Sequence, residues 1–171
     1  MTPDNGSSTD PDDSTTQSLA SLAQVDGAIN NLCRQAKHYL YVRAPRLDFP
    51  FFKSNDLLPS ITHLIRGDQR NHIHFLIDDE LHFLNTNTRL IELARKFSSY
   101  IKIRMLPEEY ADTAEVFIVA DPDCYLHMAS QHQYPATAGF DMRARTRQLE
   151  YRFKQLWERS ERIPELFTLG L

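Results

Sequence analysis

The stretch TAEVFIVADPDCYLHMASQ, residues 113–131, decides the fold of this 171-residue chain. Residues 114–121 form a nearly continuous apolar run, which is typical of a strand buried on both faces of a sheet. A Pro-Asp pair then favours a tight turn, and the pattern of residues 124–129 indicates a second strand. The stretch therefore predicts two antiparallel strands joined by a turn and followed by a polar loop that begins at Ser130.

Upstream of this stretch, helix and strand patterns alternate along the chain. Apolar spacing predicts helices over 18–37, 56–66, 80–97 and, downstream, 142–160, and β-rich runs predict strands over 38–44, 72–78 and 101–106. Strands separated by helices pair in parallel through right-handed crossovers. We therefore expect an α/β domain, with a mixed, mainly parallel sheet of about five strands and helices on both faces.

The composition is that of an ordinary globular protein, with 42% hydrophobic and 25% charged residues. No apolar run approaches the ~20 residues that a membrane helix needs, and the N-terminus lacks the pattern of a secretory signal. We expect a cytoplasmic protein that does not associate with membranes. Residues 1–17 are rich in Ser, Thr and Asp and predict a disordered tail or linker, and residues 18–171 predict one domain.

Charge is distributed unevenly along the chain. Residues 1–15 contain four aspartates and no basic residue, so the net charge of -4 belongs to this segment and the remainder is neutral. Residues 141–162 hold seven arginines or lysines against four acids, a local excess of three positive charges. This excess is too small to indicate nucleic-acid binding. Arginines at a helix start oppose the helix dipole, so we expect internal acids or a bound anion to compensate them.

The element order, the segment EVFIVADPDCYLHMASQ and the helix ending LEYRFKQLWERS resemble one half of the phospholipase D superfamily, over residues 22–160. The segment LIELARKFSSYIKIRMLPEEYADTAEVFIVADPDCYLHMA more narrowly resembles an uncharacterised bacterial domain of this fold. In some members that domain follows a GNAT-type acetyltransferase domain. The resemblance implies a phospholipase D-like half without an assigned activity or cofactor. It also implies an acetyltransferase domain, or a second copy of the chain, as the partner.

Active members of the superfamily carry a His-x-Lys-x4-Asp motif at the start of such a strand pair. The resemblance implies that the His attacks phosphorus, the Lys neutralises phosphoryl oxygens and the Asp orients an imidazole. Here the three motif positions are Thr113, Glu115 and Ala120, and Asp121 follows one place late. A carboxylate at the Lys position would repel a phosphodiester. We therefore predict that the catalytic motif is degenerate and that the chain is not an enzyme.

Five polar residues are candidates for a remaining anion-binding or ligand-binding pocket. Two arginines at the end of the predicted strand 38–44 could grip a carboxylate or phosphate bidentately. They could equally form internal salt bridges with Asp48 or with the acids near 78–80. A serine and a histidine after the strand pair loosely match the Gly-Ser-x-Asn segment of the superfamily. The candidates are Arg43, Arg46, Ser130, His132 and Arg143.

Two further groups have the residue types of metal ligands. His72 and His74 share one face of a strand and would need a third ligand, such as Asp78 or His127. The acidic run 78–80 follows a parallel strand at its carboxyl end, where it could hold Mg²⁺ or cap the next helix. We favour water or carboxylate partners for the histidines and helix capping for the acids, and predict no metal.

Two classes of function agree with these patterns. The first is a non-catalytic domain that binds a ligand or a protein partner and works with an acetyltransferase. The second is a divergent, dimeric phosphodiesterase or nuclease, in which His127, His132 and the arginines would supply the chemistry. A purely structural dimerisation module is a third alternative.

Overall fold

The computed structural model describes residues 16–166. In chain order the elements are β1 (Thr16–Leu19), α1 (Leu22–Gln35), β2 (Tyr39–Arg43), α2 (Pro50–Lys53), α3 (Leu57–Gly67), β3 (His72–Ile77), α4 (Glu80–Thr86), α5 (Thr88–Lys96), β4 (Ile101–Met105), β5 (Val116–Ala120), β6 (Cys124–Met128), β7 (Ala136–Gly139), α6 (Arg143–Arg159) and β8 (Glu161–Arg162). Two 3-10 turns cover Glu108–Tyr110 and Pro164–Leu166.

The strands form one mixed sheet in the order β1-β7-β6-β5-β2-β3-β4-β8. Strands β2, β3 and β4 pair in parallel through helical crossovers, whereas the other neighbours pair antiparallel. The predicted α/β class is confirmed, but the predicted count of about five strands was too low. The three additional strands, β1, β7 and β8, are antiparallel, so antiparallel pairings outnumber the parallel ones.

The additional strands arise in segments with weak strand patterns. Strand β1 begins at Thr16, inside the predicted tail 1–17, and the rest of that predicted tail lies outside the described residues. Strand β7 has the sequence ATAG, whose small side chains carry little strand signal. Strand β8 has only two residues. Pairing with neighbouring strands determines all three.

Helices cover both faces of the sheet, as predicted. Strand side chains alternate between the faces, so Leu40 and Val42 join a cluster with residues of α1, α2, α3 and α5. Tyr41 points the other way and packs with Leu149 and Phe153 of α6. Within residues 16–166, no helix is both long and apolar enough to cross a membrane.

The helix predicted over 80–97 is interrupted at Asn87, which separates α4 from α5. The Asn87 side chain is buried, and its Nδ2 donates a hydrogen bond to the carbonyl oxygen of Leu47 at 3.0 Å. Its backbone N–H ends α4 by donating to the carbonyl oxygen of Phe83 at 2.9 Å. This long-range contact anchors the loop between β2 and α2, which no local spacing pattern could indicate.

Candidate functional site

Thr113 and Glu115, two of the residues at which the resemblance implies the catalytic motif, lie at one edge of the sheet. We call it the motif edge, and it comprises segments 43–48, 78–82, 113–115 and 127–132. Gln131 holds three of these segments together. Its backbone N–H donates to the carbonyl oxygen of Ala114 at 2.7 Å, and its side-chain amide exchanges two hydrogen bonds with the backbone of Arg46, at 3.1 and 2.8 Å.

The three motif positions differ in their surroundings. Thr113 is exposed before β5, and Ala120 is buried in the core at the far end of that strand. Glu115, at the Lys position, has a side chain that is only 13% exposed. The resemblance implies a catalytic Lys at residue 115, where this chain has a largely buried carboxylate.

Two side chains surround the Glu115 carboxylate. Arg152 of α6 places Nη1 2.9 Å from both carboxylate oxygens and donates a hydrogen bond to Oε2. The buried Oε1 has the charge contact without a hydrogen bond. His127 of β6 lies with Nε2 3.6 Å from Oε2. The negative charge of Glu115 is therefore balanced inside the domain by a helix that covers the motif edge.

Burial lowers the pKa of His127 below its usual value, and the positive charges of Arg145 and Arg152 lower it further. The Glu115 carboxylate opposes this effect by favouring the protonated imidazole. The net shift is downward, so His127 is mainly neutral at pH 7.

Arg43 and Arg46 form internal salt bridges. This was the alternative to ligand binding that the sequence left open for these two residues. The Arg43 side chain is 3% exposed and grips Asp78 with two hydrogen bonds, from Nη1 to Oδ1 at 2.6 Å and from Nη2 to Oδ2 at 3.0 Å. Arg46 is exposed and donates from Nε and Nη2 to Oδ2 of Asp79, at 3.2 and 2.9 Å.

The acidic run 78–80 serves the fold, as predicted for helix capping. The Asp79 side chain caps α4 by accepting a hydrogen bond from the His82 backbone N–H at 3.0 Å. This hydrogen bond, together with the Arg46 guanidinium, holds the pKa of Asp79 below its usual value. Asp78 belongs to the Arg43 pair. In the described part of the chain, no group of three His, Cys, Asp or Glu side chains is placed to hold a metal.

The remaining candidates do not converge. Ser130 and His132 follow β6 at the motif edge, and His132 has a left-handed backbone with φ of 65°. The His132 ring lies 6.0 Å from the ring of Phe49. Arg143 begins α6 at the opposite edge of the sheet, where the neighbouring Met142 N–H donates to the carbonyl oxygen of Asp123 in the β5–β6 turn. The predicted pocket of five residues therefore loses Arg143.

Asp121, the acid one place late in the motif, also lies at this opposite edge. Its carboxylate accepts hydrogen bonds from three consecutive backbone N–H groups, those of Lys37 at 2.8 Å, His38 at 2.8 Å and Tyr39 at 3.3 Å. It thereby ties the start of β2 to the end of β5. Asp121 is a structural residue, and it lies the full length of β5 away from the motif edge.

Two adjoining clefts, of about 560 and 550 Å³, lie beside Asp121 and share Lys37 and His38 in their walls. Two carboxylates in the walls of these clefts, those of Asp121 and Asp68, already have partners within the domain. Asp121 accepts the backbone hydrogen bonds described above, and Asp68 pairs with Arg70 at 3.1 Å.

His72 and His74, considered above as metal ligands, belong to an aromatic stack under α6. His72 Nε2 lies 2.9 Å from the Tyr41 hydroxyl, and its Nδ1 lies 3.0 Å from the Arg70 carbonyl oxygen. The His74 ring stacks on Trp157 with centroids 4.4 Å apart and planes 7° apart. Burial, and then the nearby charges of His72, Lys102 and Arg104, lowers the pKa of His74 to about 3.

We expect His74 to make the fold sensitive to acid. Unfolded, it binds a proton near its ordinary pKa of 6.5; folded, only near pH 3. Between these values the unfolded chain binds more protons, so the unfolding free energy falls as pH falls, by up to about 1.4 kcal/mol per pH unit. Urea unfolding at several pH values should show a shallower fall for His74→Phe. An unchanged pH dependence in this variant would contradict the assignment.

Sequence reasoning missed the roles of Gln131 and Arg152 in this region. Arg152 lies on a helix near the end of the chain, and its partner Glu115 precedes β5. Gln131 acts mainly through the backbones of other segments. Neither contact has a local sequence signal, because each depends on how α6 and the β6–β7 loop fold over the sheet.

Solved structures with this fold include phospholipase D family members and an archaeal chromatin protein. The phospholipase D family member Nuc from Salmonella typhimurium has a TM-score of 0.63 at 11% identity, with 87% of this chain and 97% of that chain covered. NucT from Helicobacter pylori has a TM-score of 0.62 at 10% identity, with coverages of 86% and 98%. These identities show a shared fold alone.

The archaeal chromatin protein TrmBL2, described with a novel mode of DNA binding, has a TM-score of 0.62 at 13% identity. The match covers 91% of this chain, which spans only 56% of the chromatin protein. No curated protein matches the sequence. A family model described as a domain of unknown function (DUF7931) matches residues 21–169. The chain has the fold of the phospholipase D family members described above. Because the family match spans most of the sequence, the chain belongs to the DUF7931 family.

Proposed function

We propose that this chain is a non-catalytic phospholipase D-like domain that acts as a ligand-binding or protein-interaction module. The observation that carries the proposal is the surroundings of Glu115. The resemblance aligns Glu115 with the Lys position, and its carboxylate contacts Arg152 and His127. A phosphodiester at the motif edge would meet this negative charge instead of an ammonium group, which disfavours both binding and charge stabilisation in the transition state.

The nucleophile position supports the same proposal. Thr113 is exposed, and no hydrogen bond to its hydroxyl is found within residues 16–166. A threonine hydroxyl is a weak nucleophile unless a neighbouring base removes its proton. The most buried arginine at the motif edge, Arg43, is committed to Asp78 by two hydrogen bonds. The edge therefore lacks the activated nucleophile and the free buried cation that phosphoryl transfer uses.

The proposed partner is an acetyltransferase, which the resemblance to domains that follow GNAT-type acetyltransferases suggests. A second copy of the chain is the other partner that we consider. A binding role agrees with the appearance of the same fold in an archaeal chromatin protein described with a mode of DNA binding. Stoichiometric co-purification with an acetyltransferase would support this part of the proposal, and its consistent absence would remove it.

The catalytic part is tested with bis-p-nitrophenyl phosphate. We expect the purified full chain to release no more nitrophenol than buffer, because a carboxylate stands at the phosphate-binding position. The matched variants are Thr113→Ala and Glu115→Gln, and a phosphodiesterase with known activity on this substrate is the positive control for the assay. Turnover that the variants abolish, or a covalent phospho-adduct on the chain found by mass spectrometry, would contradict the proposal.

A divergent phosphodiesterase is a second candidate, favoured by one observation. His127 is mainly neutral at pH 7 and lies 3.6 Å from Glu115, with Arg145 and Arg152 close enough to influence its pKa. A neutral imidazole oriented by a carboxylate can act as a general base. If this candidate is correct, His127→Ala abolishes phosphodiester cleavage and His132→Ala weakens it. Cleavage that is unaffected by either substitution would exclude both histidines from the chemistry.

A further inference from the structure

Helix α6 carries its basic residues in two different states. In its second half the cations have partners, since Arg152 pairs with Glu115 and Lys154 with Glu150 at 3.1 Å. The Arg159 guanidinium lies 4.9 Å from the centre of the Tyr110 ring. The positive excess of residues 141–162 therefore lies mainly in the first half of the helix. Its arginines form no ion pair with a carboxylate of the described residues.

The first half presents three arginines without carboxylate partners. Arg143 and Arg147 are exposed, and neither forms an ion pair or a hydrogen bond with any residue of 16–166. Arg145 makes one long hydrogen bond, 3.4 Å from Nη1 to the Gln148 side chain. Arg143 and Arg147 are one helical turn apart, about 6 Å along the helix axis. Arg145 is two residues from each of them and therefore lies on another side of the helix. We call Arg143 and Arg147, together with Tyr151, the arginine row.

Tyr151 continues this row one turn further on. Its side chain is among the most exposed large apolar groups of the described residues, at 65%. The Gln155 side chain donates to its hydroxyl at 3.1 Å, which orients the ring on the helix surface. Guanidinium groups beside an exposed aromatic ring form a common arrangement for contacting phosphates and stacking on bases.

The structure assigns nucleic acid to the arginine row: we propose that Arg143 and Arg147 bind backbone phosphates and that Tyr151 stacks on an unpaired base. A membrane fits less well, because the row has no exposed aliphatic side chain to insert into a bilayer. An acidic peptide would use the charges but leave the exposed ring without a role. Phosphate contacts alone carry no sequence information, so we expect binding without base-sequence preference.

This surface is separate from the motif edge. The Met142 N–H is bonded to the Asp123 carbonyl oxygen, which fixes the start of α6 beside the β5–β6 turn. The motif edge lies at the other end of β5. Nucleic-acid binding at the arginine row therefore does not depend on the proposed loss of catalysis, and either inference can fail without the other.

Fluorescence anisotropy with short labelled single-stranded and double-stranded DNA tests the proposal on the full chain. Non-specific contacts of this kind are expected to give a dissociation constant of roughly 10⁻⁶ to 10⁻⁴ M near physiological salt. Arg143→Gln/Arg147→Gln should bind about tenfold more weakly or worse at low salt. The same variant should reduce the slope of log K against log salt by about 1.8, because two phosphate contacts are lost.

The matched control is Lys154→Gln/Arg159→Gln, which removes two positive charges from the same helix at residues that already have partners. We expect its affinity for DNA to stay close to that of the unchanged chain. Equal weakening by both double variants would overturn the proposal, since it would show an effect of net charge without a defined surface. Binding of poly-glutamate or of phosphatidylserine vesicles as tight as that of DNA would also overturn it.

Tyr151→Ser separates stacking from charge. We expect this variant to lower the affinity for single-stranded DNA at least about fivefold, because stacking on one base is lost. The affinity for double-stranded DNA should change little. Unchanged single-stranded binding would overturn the role of Tyr151. Circular dichroism and thermal melting should show the fold retained in the arginine variants, since their side chains make no buried contact.

Discussion

Replacing Asp78 with alanine is expected to lower the free energy of unfolding by about 3–5 kcal/mol. Asp78 is the bidentate partner of Arg43, whose side chain is 3% exposed. Without the carboxylate, an arginine that cannot lose its proton would stay buried without a counter-charge. Urea unfolding followed by circular dichroism at pH 7 measures the effect.

The two members of this pair are expected to differ in the size of the effect. Asp78 is 21% exposed, so in Arg43→Met its carboxylate can gain hydration, and the loss should be smaller than for Asp78→Ala. The double variant Arg43→Met/Asp78→Leu should recover much of the loss, because apolar side chains can replace a buried ion pair. A loss below about 1 kcal/mol for Asp78→Ala would show that Arg43 finds water or another acceptor.

Asp121→Ala is expected to cost about 3 kcal/mol of unfolding free energy. Its carboxylate is the shared acceptor for the backbone N–H groups of Lys37, His38 and Tyr39. Hydrogen bonds to a charged acceptor are stronger than neutral ones, and the N–H groups would be left without this partner. Asp121→Asn keeps one acceptor oxygen, so it should lose less than alanine does.

Backbone strain needs its own control, because Asp121 has a left-handed backbone with φ of 54°. Asp141 has a similar φ of 58° but is exposed. Asp141→Ala therefore introduces the same conformational penalty without removing the three acceptor contacts, and should cost at most about 1 kcal/mol. Equal losses in the two alanine variants would attribute the effect to the backbone and not to the hydrogen bonds.

The sequence predicted the interior of the fold better than its margins. The apolar run ending at Ala120 and the β-rich segments 38–44, 72–78 and 101–106 became the central strands, since full burial on both faces leaves a strong local pattern. Strand β7 has small residues at an outer position of the sheet, where neighbouring strands and not intrinsic preference set the conformation. The helix predicted over 80–97 is divided at Asn87, whose side chain makes a tertiary hydrogen bond to the carbonyl oxygen of Leu47.

The ion pairs between neighbouring parallel strands were predictable from the sequence, but the contacts made by α6 were not. The acids near 78–80 and the two arginines after β2 were correctly suspected of forming internal salt bridges, because the carboxyl ends of parallel neighbours meet at one sheet edge. Arg143 was grouped with them from charge alone, although α6 begins at the other edge. The contact between Glu115 and Arg152 depends on the direction in which α6 crosses the sheet, which no short-range pattern specifies.

The order of strands has a consequence for how the chain reaches its native state. The central strand β2 pairs with β3 nearby in sequence, but on its other side it pairs with β5, which joins Leu40 to Ala120. Such distant pairing slows folding, since a large loop must close before the contact forms. While the ribosome has not yet delivered β5, one side of β2 stays open, and the nascent polypeptide is most prone to aggregate during that interval.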